Sequence, residues 1–384
     1  MVEFVKLGEV CNFIRNGIQY KPNKERNKKY KVSRIETISE GIINMEKVSS
    51  FDIPLDSNYL LKTGDILFSH INSLPHLGKI AYYESSLGEL YHGMNLLCFR
   101  ANEKIILSRY LYFYLKTSFF KKYVDKNARR SCNQYTITLT NIKEYEIPIP
   151  PLELQEEIVN NLDTFTNLIS NLIKIITLRK KQYAYYLDEL LTFGEDTPRL
   201  KLGSLLISNI GGGTPRKNIK EFWNGDIPWA SVKDVNKYVI ILEDTEDKIT
   251  ELGLNNSNTK IVKKGETIVC TRINPGKMLI AGKDVAINQD LRGLKLKEDI
   301  ILPYFLLYYF QTLKIEGRGT TVKGISVEEL ENTEIPLPTL DTQKEIVHYL
   351  DQFTTLISLL EKKLELTKKQ YAYYRDELLR FERK

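Results

Sequence analysis

The sequence predicts an α+β protein: two globular domains separated by a long antiparallel two-helix coiled coil, with pseudo-two-fold symmetry. Three observations predict it. First, Ile147-Pro148-Ile149-Pro150 and the stretch after it, ending Lys181-Gln182-Tyr183-Ala184-Tyr185-Tyr186, recur as Ile335-Pro336-Leu337-Pro338 and Lys369-Gln370-Tyr371-Ala372-Tyr373-Tyr374. Aligned without a gap, roughly 30 of 47 positions are identical, far beyond what shared composition gives. Second, both copies carry apolar residues at steps of three and four through about five heptads. Third, each copy follows a long segment of mixed strand and helix pattern, and 384 residues suffice for two cores.

The expected organisation is a first domain over 1–151, a helical region over 152–194, a second domain over 195–338 and a second helical region over 339–384. The domains open alike, with Lys6-Leu7-Gly8-Glu9-Val10 and Lys201-Leu202-Gly203-Ser204-Leu205. Asp65-Ile66-Leu67-Phe68 and Glu266-Thr267-Ile268-Val269-Cys270 follow glycine turns and read as equivalent strands. The aromatic runs 110–115 and 304–310 read as helices whose role is to fill a core. In the repeated helices the seam is Ile158, Leu162, Phe165, Ile169, Leu172, Ile176, Tyr183, Tyr186 and Leu190. The second copy gives Ile346, Leu350, Phe353, Ile357, Leu360, Leu364, Tyr371, Tyr374 and Leu378. Arg179 and Thr367 interrupt it as polar positions that could fix the register. Pro150-Pro151 and Pro338 suit helix entrances, because first-turn amides need no intrahelical partner. About 40 residues at about 1.5 Å each make a rod of roughly 60 Å.

Composition narrows the function. The formal charge of +6 permits nucleic acid without requiring it. Cys11, Cys98, Cys132 and Cys270 stand singly, as core thiols in a reducing compartment would. No signal peptide or membrane span is read, and the expectation is a cytoplasmic protein.

No catalytic motif assembles. Gly276 to Gly282-Lys283 has the wrong glycine spacing for a phosphate loop, and Asp284 stands where Ser or Thr should hold magnesium. Gly211-Gly212-Gly213 lacks the third glycine of a dinucleotide fingerprint. Glu246-Asp247-Lys248 with Asp234 has a nuclease look but reads better as a solvated charge run. His70 and His76 have no further ligand at metal spacing. Neither a catalytic nor a metal site is expected.

A polyanion-gripping surface remains. Lys21, Lys24, Arg26, Lys28, Lys29, Lys31 and Arg34 crowd one polar stretch. Other segments carry side chains that read base edges, since Arg can fork onto guanine and Asn or Gln onto adenine. In the first domain these are Ser69-His70-Ile71-Asn72-Ser73 and Arg129-Arg130-Ser131-Cys132-Asn133-Gln134. In the second they are Thr271-Arg272-Ile273-Asn274 and Asn288-Gln289. A coiled-coil scaffold for RNA or protein and a stand-alone DNA-modifying enzyme remain open at this point.

The layout resembles the specificity subunits of type I restriction-modification systems, across essentially the whole chain. The resemblance is carried by the repeated Ile-Pro-x-Pro leading into Gln155-Glu156-Glu157-Ile158-Val159 and Gln343-Lys344-Glu345-Ile346-Val347. It is also carried by Gly212-Gly213-Thr214-Pro215 with 223–229, and by 64–69 with Asn72-Ser73. The first domain has Arg15-Asn16-Gly17-Ile18-Gln19-Tyr20 where the Gly-Gly-Thr-Pro loop is expected. The resemblance implies a non-catalytic subunit reading a bipartite duplex-DNA target, one half-site per domain, with the helices as ruler and docking platform. Arg15, Asn16, Gln19, Thr214, Arg216, Trp229 and Lys233 then join the candidate DNA-contact residues. It implies two methyltransferase subunits as partners, then restriction subunits; S-adenosylmethionine, ATP and magnesium belong to those partners. Off-seam residues repeated in both copies are the candidate docking positions: Lys181, Gln182, Tyr185, Asp188 and Glu189, with Lys369, Gln370, Tyr373, Asp376 and Glu377.

Overall fold

The computed structural model describes residues 2–19, 30–51, 55–131, 134–235, 240–318 and 324–382. They form two units, 1–174 with 362–384, and 175–361. The division falls inside both long helices, Leu152–Leu190 and Leu340–Leu378, each of 39 residues.

In the first unit, strands Cys11–Asn16, Leu97–Ala101, Ile66–Phe68 and Ile80–Tyr82 pair antiparallel in that order. The second unit repeats the order with Leu206–Gly211, Leu291–Leu296, Thr267–Cys270 and Met278–Ala281, and adds Ile241–Leu242 in parallel at the edge. The turns agree in backbone detail. Gly64 and Gly265 enter the equivalent strands at φ 98° and 86°, and Gly78 and Gly276 leave the following loops at 78° and 84°. An L side chain would be strained at all four positions. The domains are therefore built on one frame.

Each frame is closed by its proline motif. Glu3–Lys6 pairs antiparallel with Glu146–Ile149, and Arg199–Lys201 pairs with Glu334–Pro336. A proline cannot donate to a ladder, and a two-stranded closure leaves its nitrogen side unpaired. The chain then enters the long helix, and one residue holds the junction. Gln155 is fully buried. Its Oε1 accepts from Leu107 N (2.9 Å) and its Nε2 donates to Ile105 O (3.1 Å) and Pro150 O (2.8 Å). Gln343, also fully buried, repeats this with Leu302 N (2.9 Å), Ile300 O (3.0 Å) and Pro338 O (3.0 Å). Both glutamines tie the first turn of a long helix to the start of an aromatic helix, Ser108–Leu115 or Pro303–Thr312. Those aromatic helices are core elements, with Tyr110, Phe113, Phe305 and Tyr308 among the largest fully buried side chains.

The long helices have two packing roles. In the first unit, Ile158 and Leu162 of one share a core with Tyr371 and Leu379 of the other and with the aromatic helix, and Phe165 stacks on Tyr374 at 5.5 Å. In the second, Tyr186 lies 5.5 Å from Phe353 and Lys180 pairs with Glu361 at 2.6 Å. Contacts that climb one helix descend the other, so the pair is antiparallel. The expected seam needs two adjustments. Arg179 is exposed and donates to Gln182 (2.8 Å), because an unpaired guanidinium is costly to bury. Thr367 alone is interior, and its Oγ1 donates to Lys363 O in its own helix (2.8 Å). Tyr374 stays 45% exposed although it stacks on Phe165.

Replacing Gln155 or Gln343 with Ala would leave one backbone amide and two carbonyls at the junction without their partner. Each variant is expected to lose about 3 kcal/mol or more of stability. Urea denaturation measures it, and a loss below about 1 kcal/mol would show that the junction does not depend on this residue.

Candidate nucleic-acid interface

The second unit gathers three of its candidate segments on one surface. A Cβ on Gly212 would lie 2.1 Å from Ile287 O and 2.3 Å from Asn288 O, so only glycine lets this loop lie against the strand Val285–Ile287. Gly213 N donates to Ile287 O (3.0 Å), and Trp229 Nε1 donates to Gly213 O (3.1 Å). Thr214 Oγ1 donates to Gln289 Oε1 (2.5 Å). Asp290 is the hub. Its amide donates to Asn288 Oδ1 (3.0 Å), its carbonyl accepts from Thr271 N (2.9 Å) and Thr271 Oγ1 (3.1 Å), and its carboxylate lies 3.5 Å from Arg272 Nη1. Trp229, Thr271 and Asn288 are buried supports. Thr214 is half-buried, and Arg216, Lys233, Arg272, Asn274 and Gln289 are exposed. Lys233 reaches Asp247 at 4.0 Å.

In the first unit, strand Ile71–Asn72 pairs with Gln134–Thr136, which pairs with Arg129–Ser131. The 69–73 and 129–134 segments therefore meet, and Tyr135 stands opposite both Asn72 and Arg130. Arg129, Arg130, Gln134 and Ser73 are exposed, and Asn72 is half-buried with its Nδ2 donating to Ser69 Oγ (3.1 Å). Ser69 and His70 lie inside. Arg15 is held over the Phe13 and Tyr59 rings (4.2 and 4.9 Å) and donates to Asn58 O (2.5 Å). Asn16 and Gln19 are exposed, as is Arg34, which lies 3.3 Å from Glu36. Lys28, Lys29 and Asn133 lie outside the described residues, as do Lys21, Lys24, Arg26 and Cys132.

One equivalence is hidden in the sequence. A Cβ on Gly17 would lie 2.3 Å from Gly93 O and 2.4 Å from His92 O, and Ile18 N donates to His92 O (2.9 Å). Gly17 therefore makes the close approach that Gly212 makes in the second unit. The loop without a Gly-Gly-Thr-Pro signature occupies the same place, and a single glycine is too weak a signal to find it. Asp290 was also missed, because a lone acid in a basic surface does not stand out.

The rejected catalytic motifs have structural partners. Asp234 accepts from Ser231 N (2.8 Å) and Glu246 N (2.9 Å), and Asp284 accepts from Lys263 Nζ (2.7 Å). Among the described residues no His, Cys, Asp and Glu group could hold a metal ion. Cys11, Cys98 and Cys270 are buried free thiols, and burial pushes Cys11 and Cys270 up to about 12.

On the long helices, Lys181, Gln182, Tyr185, Asp188 and Glu189 are exposed, and so are Lys369, Gln370, Tyr373 and Glu377. Tyr185 and Tyr373 are 62% exposed in both copies. Asp376 differs, because Arg375 stands where the first helix has Leu187. Arg375 holds the Asp376 carboxylate at 2.8 Å, and that carboxylate accepts from Ser118 N (3.3 Å). Leu178 and Leu366 add an exposed apolar pair at repeated positions.

A two-fold repeated frame with divergent surface loops on paired helices defines a class of modular recognition subunit. The family model for the type I restriction modification DNA specificity domain matches residues 1–178 and 196–368, and the chain belongs to this family. It is 33% identical, over 96% of its length and 90% of the relative's, to a Methanocaldococcus jannaschii chain named as the MjaX type I restriction enzyme specificity subunit. It is also 33% identical to the Escherichia coli type I restriction enzyme EcoR124I/EcoR124II specificity subunit, over 72% and 71% of the two chains. The fold is similar to the type I restriction-modification S subunit from M. genitalium, with TM-score 0.60 and 13% identity over 100% and 97% of the chains. No helix among the described residues is long and apolar enough to cross a membrane.

His70 and His92 give the fold a pH dependence. Desolvation holds each at about 4, below the ordinary 6.5. A lowered histidine pKa means that the unfolded chain takes up protons first, so stability present above pH 6.5 is lost as pH falls from 6.5 towards 4. Each group contributes up to about 3 kcal/mol. Thermal unfolding should shift downward across this window and less steeply in His92→Asn; parallel profiles for the two proteins would contradict this.

Proposed function

We propose that this specificity subunit reads a bipartite, asymmetric duplex-DNA target, with residues 1–151 on one half-site and 195–338 on the other. In this reading, helical regions 152–194 and 339–384 set the spacing and dock two methyltransferase subunits. The carrying observation is the contrast inside the repeat. Sheet order, glycine turns and glutamine junctions are common to both units, whereas the loops with exposed Arg, Asn and Gln differ. Different half-sites require different loops, and two copies of one partner require repeated surface residues. Tyr185 and Tyr373 lead that docking set.

The reaction belongs to the partners. The methyltransferase subunits supply S-adenosylmethionine chemistry on adenine, and restriction subunits add an ATP- and magnesium-dependent nuclease. This chain supplies the address: exposed Arg272, Asn274 and Gln289 on one half-site, Arg129, Arg130 and Gln134 on the other, with Lys28 and Lys29 on phosphates. The buried Trp229, Thr271, Asn288, Ser69 and His70 position those loops from within.

Co-expression with a cognate methyltransferase subunit, followed by genome-wide mapping of methylated adenines, tests the reading. One bipartite motif with two unlike halves is expected, with no methylation from either protein alone. Methylation by this chain without a partner, or adenines marked without a shared motif, would overturn it.

A further inference from the structure

Ile273 occupies a backbone conformation poorly suited to isoleucine. Its φ is 69°, and Asn274 N donates to Arg272 O, two residues back, at 2.8 Å. This is the rare left-handed γ-turn. Glycine, with no Cβ, adopts positive φ readily, whereas a β-branched residue there is a true outlier. The surroundings enforce the turn. Thr271 N donates to Asp290 O (2.9 Å), Ile325 N donates to Thr271 O (2.9 Å), Gly276 N donates to Cys270 O (2.9 Å), and Arg272 bridges to Gly324. Gly276 allows Ile315 to close beneath the loop, since a Cβ there would lie 2.3 Å from Ile315 Cδ1.

The strain does not serve core packing. Ile273 is 56% exposed and lies between two exposed polar residues, Arg272 and Asn274. Exposed leucines and isoleucines are ordinary on a surface; one forced outward on a strained turn, at the tip of a polar candidate interface, is not. Strain that the surroundings over-determine marks functional loops. The side chain therefore has value for what it presents, and what it presents is a branched apolar tip. On duplex DNA the one apolar group on a base edge is the thymine 5-methyl, in the major groove. We propose that Ile273 is a specificity-determining residue that packs on a thymine methyl in the half-site read by the second domain, beside the base contact made by Arg272. This rests on the DNA-reading function proposed above. In the first unit the corresponding turn carries no non-glycine residue at positive φ among the described residues, so the device belongs to one half-site.

The test uses the chain assembled with its methyltransferase subunit on the target found by mapping. Each thymine of the second half-site, on either strand, is replaced singly by uracil, which removes only the methyl, and affinity is measured by competition at fixed salt. One substitution should weaken wild type by about four-fold or more, the effect of one buried methyl. Ile273→Ala and Ile273→Gly should bind the thymine duplex about that much more weakly and no longer distinguish uracil. Glycine tolerates the turn, so Ile273→Gly should unfold no earlier than wild type. Unchanged thymine–uracil discrimination in both variants, or a second half-site without an A·T pair, would overturn the proposal. So would weakened methyltransferase assembly with DNA affinity intact. If wild type prefers no duplex and Arg272→Ala changes nothing, the DNA-reading function falls as well.

Discussion

The buried amide of Gln155, repeated at Gln343, is the constraint on which the architecture depends. A helix start leaves its first amides without partners, and the carbonyls of a proline-closed strand and of a loop entering an aromatic helix also need donors. One glutamine side chain meets three of these demands at once, accepting once and donating twice. Because every partner is backbone, the direction of the long helix is tied to that of the aromatic helix, whose side chains fill the domain core. The same three bonds recur in the second unit. The joint between head and helix is thus specified by hydrogen bonding, and the apolar contacts around it can vary.

They do vary. Asp163 and Asp351 stand at equivalent places on the two long helices, yet Arg109 pairs with the first at 2.5 Å and the Tyr308 hydroxyl donates to the second. The first unit covers its helix with Arg109 stacked among Tyr82, Tyr112 and Phe113. The second keeps a part-open pocket of about 490 Å³ lined by Tyr183 and Met278 together with the polar Lys180, Gln311 and Glu361. Neither difference disturbs the sheet order or the glycine turns. A frame that tolerates such exchange at its interior can carry loops of different chemistry at its surface, which reading two unlike half-sites demands.

Much of this was legible in the sequence, for physical reasons. A direct repeat is visible because helix periodicity constrains every turn of both copies, and the aromatic runs had to be buried because so much apolar area cannot stay wet. Strands after Gly64 and Gly265 were visible because positive φ demands glycine there. Less visible were features set by tertiary contact. The common place of Gly17 and Gly212 rests on which carbonyl lies opposite, His92 or Ile287, and no local pattern encodes that. The exposure of Arg179 against the burial of Thr367, and the inward turn of Asp376, depend on neighbours that differ between the copies. The left-handed turn at Ile273 contradicts local propensity outright, as strained functional loops do.

If the common joint alone fixes each head on its helices, the heads are exchangeable. Replacing residues 206–330 with residues 11–142, while keeping both closing strands, Gln155, Gln343 and both long helices, tests it most directly, with methylated adenines mapped in the presence of the methyltransferase subunit. The expected result is a motif whose two halves are identical in inverted orientation, with the spacer of the parent protein unchanged. A folded hybrid that assembles with its partner yet still marks the parent's asymmetric motif, or a symmetric motif with a different spacer, would contradict it.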